Sequence, residues 1–168
     1  MPELSTTEYA VLGILAENPT HGFAIARALR ADADVGRIYT VRRPLVYRAL
    51  DRLGEQGYAE PAHVEQGDAG PNRVIHRVTG PGRRKLRRWL GEPVSHVREI
   101  RLEFLLKLEL LRRAHRSPLD LIRAQRDTLQ LTIEALDEPG PYDHVEMWRS
   151  HNARAAGAYL EELLAKYS

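Results

Sequence analysis

The chain has 168 residues, 43% hydrophobic and 29% charged, enough for one good core or for a small domain with an appended helical assembly. It contains no cysteine, which excludes disulfides, thiolate zinc sites and cysteine nucleophiles. Net charge is +2, yet residues 1–91 hold 14 Lys and Arg against 10 Asp and Glu while residues 92–168 hold 11 against 13, so a nucleic-acid partner suits the first half better than the second.

Ser5 and Glu8, three residues apart, form a capping-box pattern ahead of Tyr9, Val11, Leu12, Ile14 and Leu15. They predict a first helix that ends near Asn18 and Pro19. Thr20 is the expected cap of a short second helix bearing Phe23, Ile25, Ala26 and Leu29, followed by a polar loop containing Gly36 and a brief extended segment at Ile38, Tyr39 and Val41. A third helix is expected from about Arg43 to Gly57. It places Val46, Ala49, Leu50 and Leu53 on one face and Arg48 and Arg52 on another, with Gly57 as a left-handed stop. Residues 58–64 and 73–79 flank a turn through residues 65–72 and read as a hairpin, with Val74, His76 and Val78 alternating with Ile75 and Arg77.

Three helices followed by a two-stranded ribbon spell a winged helix-turn-helix. In that architecture the third helix enters the major groove and the hairpin reaches along the duplex, bringing Arg73 and Arg77 near phosphates. Thr79 is the expected cap of a fourth helix, in which Arg83, Arg84, Lys85, Arg87 and Arg88 surround Leu86, Trp89 and Leu90. That run reads either as a solvated face over a buried Trp89 or as a phosphate-contacting one. Gly91 and Pro93 open a linker, so the expected division is 1–91 for DNA binding and 92–168 for a helical dimerisation and effector domain.

From Ile100 to Leu111 apolar residues, among them Phe104, Leu105, Leu108 and Leu111, wrap most of a helix circumference. Ser117, Pro118 and Asp120 start a second helix that stops at Pro139 and Gly140. A third, from about Tyr142, carries Val145, Trp148, Asn152, Ala155, Ala156, Tyr159 and Leu163 mostly three or four apart. Three such helices are too thin a bundle to cover the first of them. The missing cover is either a second copy of the chain, through Phe104, Leu105, Leu108, Leu111, Val145, Trp148 and Tyr159, or the fourth helix and N-terminal domain of the same chain.

No apolar run reaches membrane-spanning length and the N-terminus has no basic, apolar leader, so a cytoplasmic protein without a membrane partner is expected. Catalysis and bound metal or cofactor are not expected. His144 and His151 lie seven residues apart with Glu146 nearby, but neither a His-Glu-x-x-His pattern nor a glycine-rich phosphate loop is present. The expected function is dimeric, sequence-specific DNA binding in transcription. The alternative is a winged-helix module that binds protein rather than DNA.

The ordered signals resemble the PadR family of bacterial transcriptional regulators across almost the whole chain. The resemblance is carried by His21, Gly22 and Phe23; by Val46, Tyr47, Arg48, Ala49, Leu50, Arg52, Leu53 and Gly57; by Gly70, Pro71, Arg73, Arg77, Val78, Thr79 and Gly82; and by residues 101 and 103–107. It implies that Tyr47 contacts phosphate, with Arg48 and Arg52 on the same helix, and the helix and wing readings add Arg42, Arg43, Arg73 and Arg77 to the expected DNA-facing set; a ring bracing the helix is the other role open to Tyr47. It also implies a homodimeric repressor on a double-stranded operator, released by a small aromatic ligand that Trp89 and Trp148 could line. Pro44, Leu45, Phe23 and His76 depart from the family's usual residues, so operator preference does not carry over.

Overall fold

A computed structural model describes residues 3–66, 72–137 and 143–168. The turn expected through Gly70 and Pro71, the helix stop at Pro139 and Gly140 and the helix start at Tyr142 lie outside the described residues. The fold is mainly helical with a two-stranded antiparallel sheet, and the chain divides into two compact units, Met1–Leu90 and Gly91–Ser168.

In the first unit, α1 (Thr6–Glu17) opens on the expected capping box: Ser5 Oγ accepts from Glu8 N at 3.3 Å and Glu8 Oε2 accepts from Ser5 N at 2.6 Å. Residues 8–15 are all buried, because α2 (Gly22–Ala28), α3 (Arg43–Glu55) and the sheet pack around the helix. The cap of α2 is His21 rather than Thr20, its Nδ1 accepting from Ala24 N at 3.2 Å. Thr20 is committed elsewhere: its N–H donates to His76 O at 3.0 Å and its carbonyl accepts from His76 N at 2.8 Å, which ties the α1–α2 turn to the hairpin. The segment expected to be extended before α3 is instead a series of turns. Ile38 and Tyr39 both donate to Val35 O and fold the chain over the fully buried Val35, and extended backbone resumes where Val41 N reaches Leu29 O at 3.0 Å.

α3 buries the expected Val46, Ala49, Leu50 and Leu53. Pro44 sits in its first turn, where a missing N–H costs nothing. Gly57 has φ +71°, the left-handed stop, and Tyr58 N donates to Leu53 O at 2.8 Å beyond it. The hairpin pairs β1 (Ala59–Glu65) with β2 (Arg73–Val78), but Pro61 faces His76 while His63 faces Ile75, leaving Ala62 as an extra residue in β1. Such a bulge re-aims both strands. The simple alternation expected of β2 is broken: Ile75 and Val78 are buried and Val74 is exposed. Thr79 caps α4 (Gly80–Gly91) as expected, accepting from Gly82 N at 3.1 Å and donating to Gly57 O at 2.7 Å.

The second unit begins with three consecutive helical stretches, α5 (Val97–Glu99), a π-helical segment (Ile100–Phe104) and α6 (Leu105–Arg113). The wider π turn shifts the phase of the helix within its most apolar stretch, which periodicity alone does not reveal. Phe104 and Leu111, expected at a chain–chain interface, are buried within the single chain, Phe104 completely. They belong to its own core, whereas Leu105, Leu108 and Tyr159 are half-buried and Val145 and Trp148 are exposed. Buried among the leucines is Lys107, whose Nζ donates to Glu92 O at 2.7 Å and pairs with Glu103 at 2.8 Å.

α7 (Leu119–Asp137) and α8 (His144–Tyr167) pack along each other. The side α8 buries is Ser150, Ala153, Ala156, Leu160 and Leu164, not the stripe through Val145, Trp148 and Tyr159. Gly157 marks the reason: a β-carbon there would stand 3.3 Å from Ile133 Cγ2, so the small-residue side approaches α7 and the aromatic one is left out.

Candidate nucleic-acid interface

The side of α3 opposite its buried stripe is the natural groove-facing surface of a helix-turn-helix, and its charged residues do not have equivalent surroundings. Arg42, Arg43, Tyr47, Arg48, Arg52, Arg73 and Arg77 are all exposed. Arg43 lies between two rings, its Cζ 5.2 Å from the centroid of Phe23 and 5.6 Å from that of Tyr47. Tyr47 in turn rests against Gly22, where a β-carbon would meet its ring at 2.8 Å. One side of the Tyr47 ring therefore braces α2, while the residue stays 41% exposed. A groove beside this stack is lined by Phe23, Arg27, Arg30, Asp32, Val41 and Arg42; Arg30 pairs with Asp32 at 3.1 Å, and Arg27 and Arg42 leave the start of α3 a basic surround.

Arg52 is the exception. Its Nε lies 3.0 Å from Glu8 Oε1, a carboxylate only 2% exposed, while Arg52 itself is 54% exposed. Glu8 Oε1 has no hydrogen-bond partner of good geometry, so this contact is chiefly electrostatic. The buried charge of Glu8 requires a cation, and Arg52 is fixed as that cation, a strut between α1 and α3. The sequence shows Glu8 as a capping residue and Arg52 as a surface arginine, and no local pattern joins them. Arg77 is likewise engaged, across the hairpin, with Nε 2.8 Å from Glu60 Oε1, in an exposed pair of little energetic weight. In the basic run of α4, Arg83 donates to Ala16 O at 3.2 Å, and Arg84 and Arg87 are exposed.

His76 stands on the wing beside α3. Burial holds its imidazole below the ordinary range, and the carboxylate of Asp51 on α3 pulls the other way. Folded His76 therefore takes up its proton at lower pH than unfolded His76 does. The stability this contributes is complete above the ordinary histidine range and is lost as pH falls through the folded value. The thermal midpoint is expected to drop between about pH 7.5 and about pH 5.5, and to drop less in His76→Gln. Parallel curves for the two proteins would remove His76 as the source.

The two tryptophans considered for a ligand are placed differently. Trp89 is buried and stacked on Tyr9, centroids 4.3 Å apart and planes within 6°, so it is a core residue rather than a pocket wall. Trp148 is 71% exposed on α8. The apolar groove of the second unit is lined instead by Val97, Ile100, Leu105, Ala156, Arg101 and Tyr159. Among the described residues no His, Asp or Glu cluster is arranged to hold a metal ion, and no helix is long and apolar enough to cross a membrane.

Residues 11–88 match the transcriptional regulator PadR-like family. A Mycobacterium tuberculosis protein, "Probable transcriptional regulator Rv1176c", is 29% identical over 90 residues, which are 54% of this chain and 46% of that relative, so the chain aligns to about half of the relative's length. Among solved structures, Bacillus subtilis PadR in complex with operator DNA superposes with a TM-score of 0.52 at 17% identity, covering 96% of this chain and 99% of that one, a likeness of fold. Bacillus subtilis PadR in complex with p-coumaric acid has a TM-score of 0.43 at 18% identity over 98% of each chain, too loose a likeness to carry a ligand across.

Proposed function

We propose that this chain, whose residues 11–88 match the transcriptional regulator PadR-like family, is a cytoplasmic, dimeric, sequence-specific DNA-binding repressor released by a small aromatic ligand. The observation that carries the reading is α3 itself: a helix whose apolar stripe is fully engaged and whose opposite side presents Arg48 and Tyr47 beside an arginine-lined groove. In this reading the first unit binds DNA, with α3 in the major groove and Arg73 and Arg77 of the wing near phosphates. The second unit joins two copies, which the exposure of Leu131 (78%), Trp148, Val145 and Met147 on α7 and α8 supports. The ligand would enter the groove beside the π-helical segment, where Arg101 and Tyr159 border an apolar floor.

The test is binding of the full chain to its own promoter region across a salt series, with mass measured in solution. Affinity is expected to fall steeply and log-linearly with salt as counterions are released, and the mass is expected to be that of a dimer. Weak binding that is indifferent to both sequence and salt would leave the protein-interaction module as the better reading, and a monomer at micromolar concentration would remove the dimer. Small aromatic acids are expected to raise the thermal midpoint and weaken operator binding together.

A further inference from the structure

The surroundings of the α3 side chains point to a base preference as well as to DNA. Three arginines lie on the helix. Arg52 is held by the buried Glu8 and Arg43 by the rings of Phe23 and Tyr47, which leaves Arg48 as the arginine of α3 without an ion pair or ring contact among the described residues. One turn further on, Asp51 is exposed and has neither a hydrogen bond nor an ion pair among the described residues. Its titratable neighbour, His76, is held toward the neutral form by burial and offers no compensating cation. Pro44, Arg48 and Asp51 are spaced four and three apart, and all lie opposite Val46, Ala49, Leu50 and Leu53. An arginine and an unneutralised carboxylate thus share the side of the helix that would enter the groove.

We infer that α3 reads adjacent G·C pairs, Arg48 donating to guanine O6 and N7 and Asp51 accepting from the N4 amino group of a cytosine. This rests on the DNA-binding reading above. A carboxylate carried between two phosphate strands is repelled unless a base edge supplies a donor, and in the major groove the donors are cytosine N4 and adenine N6. Adenine presents the N7 acceptor beside its N6, which faces the second carboxylate oxygen with a lone pair. Cytosine presents no acceptor of its own there. Residues three apart on a helix are about 4.5 Å apart along its axis, close to one base-pair step of about 3.4 Å, so the two side chains meet neighbouring pairs.

Selection of full-length protein on random-sequence duplex DNA tests this. The wild type is expected to select a half-site with a guanine and a cytosine at neighbouring positions, each favoured about 10- to 100-fold over other bases. Asp51→Ala is expected to flatten the preference at the cytosine position while keeping the guanine, and to tighten binding to unselected DNA. Asp51→Asn is expected to change the preferred base from cytosine to adenine, since a carboxamide pairs with adenine N6 and N7, and a misfolded protein cannot produce a new preference. A selected half-site of A·T pairs alone, or an unchanged preference in both Asp51 variants, overturns the inference while leaving DNA binding intact. Selection of no sequence by the wild type overturns both.

Discussion

Gly82→Ala is expected to cost about 3 kcal/mol or more and to lower the thermal midpoint of the first unit by roughly 10 to 20 °C. Gly82 lies in the first turn of α4, and a β-carbon there would fall inside the van der Waals envelope of the Tyr58 carbonyl oxygen and stand 2.9 Å from Val78 Cγ2. Neither neighbour can withdraw cheaply. The Tyr58 carbonyl accepts from Thr79 N at 3.0 Å, a bond that joins the start of β1 to the end of β2, and Val78 is a buried wall of the same corner. A flexible side-chain tip would yield by rotating, but here backbone must move, and it carries the hairpin with it. Gly91→Ala is the control. It ends the same helix with nothing within 4 Å of the added carbon, so it is expected to be neutral or slightly stabilising in the same melting experiment.

Gln125→Leu is expected to destabilise the second unit by about 2 to 5 kcal/mol, read as a shift of the urea midpoint at constant slope. The Gln125 amide is completely buried in α7 and grips one residue of the preceding segment twice: Oε1 accepts from Val94 N at 2.7 Å and Nε2 donates to Val94 O at 2.9 Å. Leucine fills nearly the same volume but leaves a buried N–H and a buried C=O without partners, each carrying its full desolvation penalty. Gln125→Glu separates shape from bonding. It keeps the outline and the acceptor but sets an anion against the Val94 carbonyl, and should be the worse of the two at neutral pH. A midpoint within experimental error of wild type for both variants would show that water satisfies Val94 instead.

What could be read from residues alone follows the range of the forces involved. The capping box of Ser5 and Glu8, the left-handed Gly57, the Thr79 cap and the buried stripe of α3 are set by neighbours within a turn or two, and each is present in the structure as read. The order of three helices and a hairpin followed from such local signals, and the fold with it. Where several residues offered the same local chemistry, the long-range partner decided. Thr20 and His21 are both competent caps, but the Thr20 backbone is engaged by His76, fifty-six residues away, and His21 takes the helix. α8 has two sides able to pack, and the choice rests on Gly157 meeting Ile133. In the candidate site, the arginines were legible as a set but their division was not. That Arg52 is a strut and Arg48 is open depends on where α1 places the second oxygen of Glu8, which no spacing within α3 encodes.

The sharing of that one carboxylate reaches beyond α3. Oε2 of Glu8 closes the first turn of α1 through both the backbone and the hydroxyl of Ser5, at 2.6 and 2.8 Å, while Oε1 steadies Arg52. Whatever disturbs Ser5 therefore pulls on the same group that steadies α3 through Arg52. In the DNA-binding reading proposed above, Ser5→Ala is expected to loosen the hold on Arg52 and to alter operator discrimination in a folded protein, read by selection on random-sequence duplex DNA. A handle on α3 then lies at the cap of the first helix.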